Sequence, residues 1–135
     1  MNWFTAALLA LVSFGLWGLF TKLAVLHIDT KSALIYQALG VAIVGTGMLF
    51  AVNFKPATHP KGISYALLTG AAYGIGCFFY FIAASKGKII TVVTLTALYP
   101  LITIFLAYLL LKEAVTFQQG IGIALALVAI ILMSS

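Results

Sequence analysis

The amino-acid sequence predicts an all-α, polytopic membrane protein with five transmembrane helices. Three observations carry this. Of the 135 residues, 64% are hydrophobic and 7% are charged, against about 25% charged in a soluble domain, whose surface must face water. The apolar residues fall in continuous runs of about twenty, the length that crosses a hydrocarbon core of about 30 Å. The runs also lack the polar–apolar alternation of membrane β-strands, which are about ten residues long. Five such helices use about 100 residues and leave only short loops. The chain therefore reads as a single transmembrane domain over residues 1–135.

The first helix is expected over residues 3–26. No basic residue precedes it, it is longer than the apolar core of a secretion signal, and further spans follow, so it is an uncleaved helix. His27-Ile28-Asp29-Thr30-Lys31 interrupts the apolar pattern, and the second helix is expected over 32–54. Lys55-Pro56-Ala57-Thr58-His59-Pro60-Lys61-Gly62 is the clearest loop, with two prolines and a glycine. Thr58 is the expected N-cap after it, with Pro60 tolerated in the first turn. The third helix is expected over 63–85 and the fourth over 89–111, with Pro100 near its middle. Lys86-Gly87-Lys88 between them is short enough to force antiparallel neighbours. Thr116 with Gln119 has capping-box spacing and opens the fifth helix, expected over 117–133.

All of the net charge of +5 comes from lysines, balanced in part by Asp29 and Glu113. The lysines are scattered singly, which suits anchoring to anionic headgroups and argues against a nucleic-acid partner. Five spans put the termini on opposite sides of the bilayer. One side then holds Lys55, Lys61 and Lys112; the other holds Lys31, Lys86 and Lys88, with Lys22 inside the first helix as a fourth. Orientation follows a lysine and arginine excess on the cytoplasmic side, and here there is no clear excess. Two readings stay open: insertion both ways with pairing as an antiparallel dimer, or a topology fixed by one dominant loop.

Polar residues inside the spans mark candidate working faces. In the third helix Tyr65, Thr69, Tyr73, Gly76 and Tyr80 share one face. It either lines a polar pathway or makes a helix contact with tyrosines at the interfaces. Beside it Ala66, Gly70 and Gly74 form a small-residue series that favours close helix packing. The fourth helix sets Thr96, Tyr99 and Thr103 on one face beside Pro100, which frees a carbonyl one turn earlier and makes a hinge or a static kink. The first helix carries Ser13, Trp17 and Thr21 on one face, with Gly18 and Lys22 on the next. Lys22 either snorkels to the interface or faces inward toward an anionic group or a carboxylate. The second helix has Tyr36 and Gln37 near one end and Gly40, Gly45 and Gly47 beyond.

No Asp or Glu lies in the middle of a span, so coupling through a buried carboxylate has no candidate. No nucleophile–base pair supports an enzyme, and no cofactor is expected. Cys77 stands alone, and His27 and His59 fall in loops on opposite sides, so no metal site is expected.

The set Trp17-Gly18 with Lys22, Leu98-Tyr99-Pro100, Leu111-Lys112-Glu113, then Thr116, Gln119 and Gly120, resembles the EamA-like repeat of the drug/metabolite transporter superfamily. Lys112 stands where that family often has glycine. The resemblance spans nearly the whole chain. It implies one half of an inverted-repeat transporter, since typical members have ten helices in two inverted copies with substrate between them. It therefore implies a homodimer, or a heterodimer with a sister chain, in the lipid bilayer, moving small metabolites or drugs by alternating access. Pathway candidates are Trp17, Lys22, Tyr73, Tyr80, Thr96, Tyr99 and Thr103, with Pro100 as hinge and Glu113 as gate or turn residue. A prokaryotic cell membrane, inner or plasma, crossed several times, is the implied location. Two alternatives remain: an accessory or structural membrane subunit of a larger complex, and a translocator of lipid-linked substrates.

Overall fold

The computed structural model describes residues 2–112 and 114–134. All regular structure among them is helical: α1 (Trp3–Val25), α2 (Thr30–Ala51), α3 (Pro60–Lys86), α4 (Ile89–Thr96), α5 (Tyr99–Leu106), a π-helical turn (Ala107–Leu111) and α6 (Phe117–Ser134). Four stretches are long and apolar enough to cross a membrane: α1, α2, α3 and Ile89–Leu111. The fifth apolar segment, α6, is shorter, and its 18 residues rise about 27 Å. The all-α class and the five apolar segments agree with the sequence. The boundaries move for local reasons.

α2 begins at Thr30 rather than 32 because Asp29 caps it. The Asp29 carboxylate accepts the Lys31 and Ser32 amides, each at 3.0 Å, and the Ser32 hydroxyl at 2.6 Å. The Ser32 hydroxyl is the main cause that holds this carboxyl below its ordinary value of 3.8. α2 stops at Ala51 rather than 54. Asn53 and Phe54 turn left-handed, at φ 52° and 58°, and the Phe54 amide donates back to the Leu49 carbonyl at 2.9 Å, a Schellman-type closure. α3 begins at Pro60, whose missing N–H costs nothing in the first turn. The residue before it is His59, not Thr58, and the His59 Nδ1 accepts the Gly62 amide at 3.4 Å.

The fourth apolar stretch is not one continuous helix. Pro100 offers no amide to the Thr96 carbonyl. The ladder tightens at the break: the Leu98 amide donates to Leu95 at 3.3 Å and the Leu101 amide to Leu98 at 3.0 Å. The end of the stretch then widens into the π turn, which closes on Lys112 at φ 54°. The expected capping box forms, with Thr116 amide to Gln119 Oε1 at 2.9 Å and Gln119 amide to Thr116 Oγ1 at 3.3 Å. Glu113, a gate or turn candidate, lies outside the described residues.

The chain divides into two compact units, Met1–Lys86 and Gly87–Ser135. In the first, α3 packs against both α1 and α2. Its core is small: Ala33, Cys77 and Phe81, with Trp17, Ala24, Val25 and Leu34 against them. These residues come from the end of α1, the start of α2 and the end of α3, so the helices converge at the end that carries the α1–α2 loop. At the other end a methyl group added to Gly40, Gly45, Gly47 or Gly70 would meet nothing within 4 Å. The Ala66, Gly70, Gly74 series is therefore not a packing seam within this unit. Ala66 and Gly70 are exposed, and the space beyond Gly74 is also open. The contacts of α3 are made at its opposite end, by larger side chains. In the second unit α4 packs against α6, with Val92 and Thr94 buried.

Candidate functional site

Lipid is as apolar as leucine, so apolar burial does little to hold membrane helices together; packing and polar bonds do. In the first unit four side chains supply such bonds between helices. The Trp17 Nε1 on α1 donates to Gln37 Oε1 on α2 at 2.9 Å. The Gln37 Nε2 in turn donates to the Tyr73 hydroxyl on α3, at a longer 3.5 Å. The Trp17 ring packs on the Tyr80 ring of α3 with centroids 4.6 Å apart and planes inclined by 38°. Lys22 Nζ donates to the Ala84 carbonyl of α3 at 2.7 Å.

The helix geometry explains why these groups meet. Trp17 lies about 12 Å from the end of α1, Gln37 about 10 Å from the start of α2, and Tyr80 about 9 Å from the end of α3. Antiparallel helices joined by short loops bring these three levels together. Gln37 carries an amide that is costly in hydrocarbon unless it is bonded, and Trp17 and Tyr73 bond it from both sides. Lys22 sits nearer the end. It meets the last turn of α3, where backbone carbonyls have no helical partner and the helix dipole is negative. The half-buried Lys22 thus faces inward, with one of its bonds going to a backbone carbonyl of α3.

A groove of about 500 Å³ opens beside this cluster, between α1 and α2. Trp17, Phe20, Tyr36 and Phe81 give it aromatic walls, and Gln37, Ser13 and Thr21 give it polar atoms. The Ser13 and Thr21 hydroxyls donate to carbonyls of their own helix, Leu9 at 2.8 Å and Trp17 at 2.9 Å. Their oxygens keep acceptor capacity toward the groove.

The structure gathers Trp17, Tyr73 and Tyr80 of the expected pathway residues and sets Lys22 near them. It leaves the upper part of the α3 stripe outside. Tyr65 is 71% exposed, and the Thr69 hydroxyl bonds the Tyr65 carbonyl at 3.0 Å. Sequence reasoning underrated Gln37, which links all three helices. The signal was present: Gln37 is the one carboxamide set more than a turn inside an expected span.

In the second unit the residues of the expected Thr96, Tyr99 and Thr103 face bond locally or lie exposed. The Thr96 hydroxyl bonds the Val92 and Val93 carbonyls at 2.8 and 3.1 Å. Tyr99 is 63% exposed, and Thr103 is exposed as well. The cavity of this unit, about 430 Å³, lies instead against the π turn and α6, with Tyr108, Gln119 and Gly122 in its wall. Pro100 does break the helix, as expected of a hinge or kink. Among the described residues no three His, Cys, Asp or Glu side chains gather as a metal site. His27 Nδ1 donates to the Leu23 carbonyl at 2.8 Å.

Comparison with known proteins bears on this membrane-embedded arrangement. A family model described as the EamA-like transporter family matches residues 1–135. An uncharacterized protein of Methanocaldococcus jannaschii is 34% identical over 131 residues, covering 94% of this chain and 92% of that one. An uncharacterized transporter of Synechocystis is 36% identical over 72 residues, covering 53% of this chain but only 21% of that protein. No solved structure matches. The match runs from end to end through four membrane-length apolar stretches and a shorter fifth. The chain is therefore a multi-pass membrane protein and belongs to the EamA-like transporter family, within the drug/metabolite superfamily.

Proposed function

We propose that this chain is a half-size transporter of small metabolites or drugs that works in pairs by alternating access. The observation that carries the reading is the Trp17–Gln37–Tyr73 bond chain with Tyr80 stacked on Trp17. A hydrogen-bonded aromatic cluster about 10 Å inside the bilayer, beside a groove, is what a solute needs on its way through. Trp17 lines that groove, Tyr73 and Tyr80 stand beside it on α3 as further pathway residues, and Lys22 closes the end of the path against α3. The path is completed by a second copy or a sister chain, as in inverted-repeat carriers, where substrate lies at the repeat interface. The even spread of lysines favours two copies of this chain in opposite orientations. The membrane is the cell membrane.

The test is the side of the membrane on which the end after Ser135 lies. Two reporters are fused there in separate fusions, one active only in the cytoplasm and one only outside it. Activity of both supports the antiparallel homodimer. Activity of one alone defeats the homodimer and turns the search to an oppositely oriented sister chain.

A further inference from the structure

We propose that the groove between α1 and α2 binds an uncharged aromatic molecule carrying a hydrogen-bond acceptor, and that the Gln37 amide reads that acceptor. The inference rests on the groove being the solute's path and adds the class of solute. Its volume, about 500 Å³, falls in the range of roughly 300–1,000 Å³ usual for small-molecule sites.

The bond inventory of the wall defines the ligand. The Trp17 N–H is taken by Gln37. The Ser13 and Thr21 protons are taken by backbone carbonyls, so both hydroxyls face a ligand as acceptors. Gln37 Nε2 carries two protons. One goes to Tyr73 over the long distance of 3.5 Å, and the other remains to be offered. A free amide proton at this depth is costly against hydrocarbon, so a saturated acyl chain is a poor occupant, and an acceptor is needed. The rest of the wall mixes the aromatic side chains of Trp17, Phe20, Tyr36 and Phe81 with the aliphatic Leu16, Ala24, Ile28 and Ala33; the four rings favour a flat partner by stacking and edge contacts. Among the described residues, no charged side chain lines the groove. A bare charge inside a bilayer costs several kcal/mol without a partner, so both anions and cations are disfavoured.

The test uses the full chain in lipid nanodiscs and a series built on one ring system. Binding of radiolabelled 2-naphthamide, which is neutral and bears an acceptor, is compared with 2-naphthoate, 2-naphthylmethylamine and naphthalene. The proposal predicts saturable binding of the amide, with both charged analogues at least about tenfold weaker. Gln37→Met, the substitution closest in shape, weakens the amide about tenfold more than it weakens naphthalene. Equal or tighter binding of either charged analogue overturns the proposal. So does a Gln37→Met protein, eluting as a folded species, that binds the amide undiminished. Absence of saturable binding by every probe overturns it too. The charge series runs on the unaltered chain, so it stands even if the variant does not fold. None of these readouts depends on the orientation of the C-terminus, so this proposal and the antiparallel pairing fail separately.

Discussion

The two units of the chain handle their polar groups in opposite ways. In the first, side-chain bonds span 20, 36 and 62 residues: Trp17 to Gln37, Gln37 to Tyr73, and Lys22 to Ala84. In the second, the described side-chain bonds reach four residues at most, from Thr94 to Ile90, Thr96 to Val92, and within the Thr116–Gln119 box. The first unit uses Trp17, Gln37, Tyr73 and Lys22 to tie helices together beside a groove, while its serine and threonine hydroxyls bond their own helices. The described side chains of the second bond backbone groups within four residues of themselves. A polar residue in an apolar span is therefore no guide to a site by itself. Whether its partner lies four residues away or on another helix decides the matter.

Substitutions can sharpen this contrast. The largest effect is expected from Trp17→Ala, which removes a stack and an interhelical bond. It should destabilise the protein by about 2–3 kcal/mol, as judged by thermal unfolding in detergent. The matched change in the second unit, Tyr99→Ala, should cost about 0.5 kcal/mol or less, because that ring is exposed. Equal costs would erase the distinction between the units.

Next comes Lys22→Met. It removes a charge-assisted bond of about 1.5–3 kcal/mol and leaves the Ala84 carbonyl short of a donor. Transport should fall while the amount of protein in the membrane stays level. Unchanged transport would reduce Lys22 to a bystander. A smaller loss, about 1 kcal/mol, is expected for Thr116→Ala, which opens the capping box of α6. The smallest effect has the opposite sign. Lys112 holds a left-handed backbone at φ 54°, where a β-carbon costs roughly 1 kcal/mol. Lys112→Gly should raise the unfolding temperature slightly, and a fall would mean that the lysine side chain does more than its backbone costs.

These comparisons also separate what the sequence made legible from what it did not. Apolar runs of span length located every helical segment, because lipid tolerates little else. The Thr116–Gln119 box was readable because capping is local. That Tyr73 and Tyr80 share one face of α3 was readable from their spacing; that Trp17 meets both neighbouring helices was not. The role of Gln37 was not, since its partners lie 20 and 36 residues away. The same limit holds for Thr96: face spacing says which hydroxyls align, and not that the Thr96 hydroxyl turns to carbonyls of its own helix. The π turn left no sign in an unbroken apolar run. The ends of α2 and α3 turned on Asp29, Asn53 and His59, whose capping geometry a composition count passes over.

The central claim is that the α3 face carrying Tyr73, Gly76 and Tyr80, beside the Trp17–Gln37 cluster, borders a water-accessible path rather than a packed seam. It is tested by placing single cysteines along α3 in a Cys77→Ala background and treating intact membranes with a membrane-impermeant maleimide. Tyr73→Cys and Gly76→Cys should react, while Leu67→Cys, on a lipid-facing side, should not. Labelling at neither 73 nor 76, with protein present in the membrane, would contradict the account and leave the cluster as a structural tie within an accessory subunit.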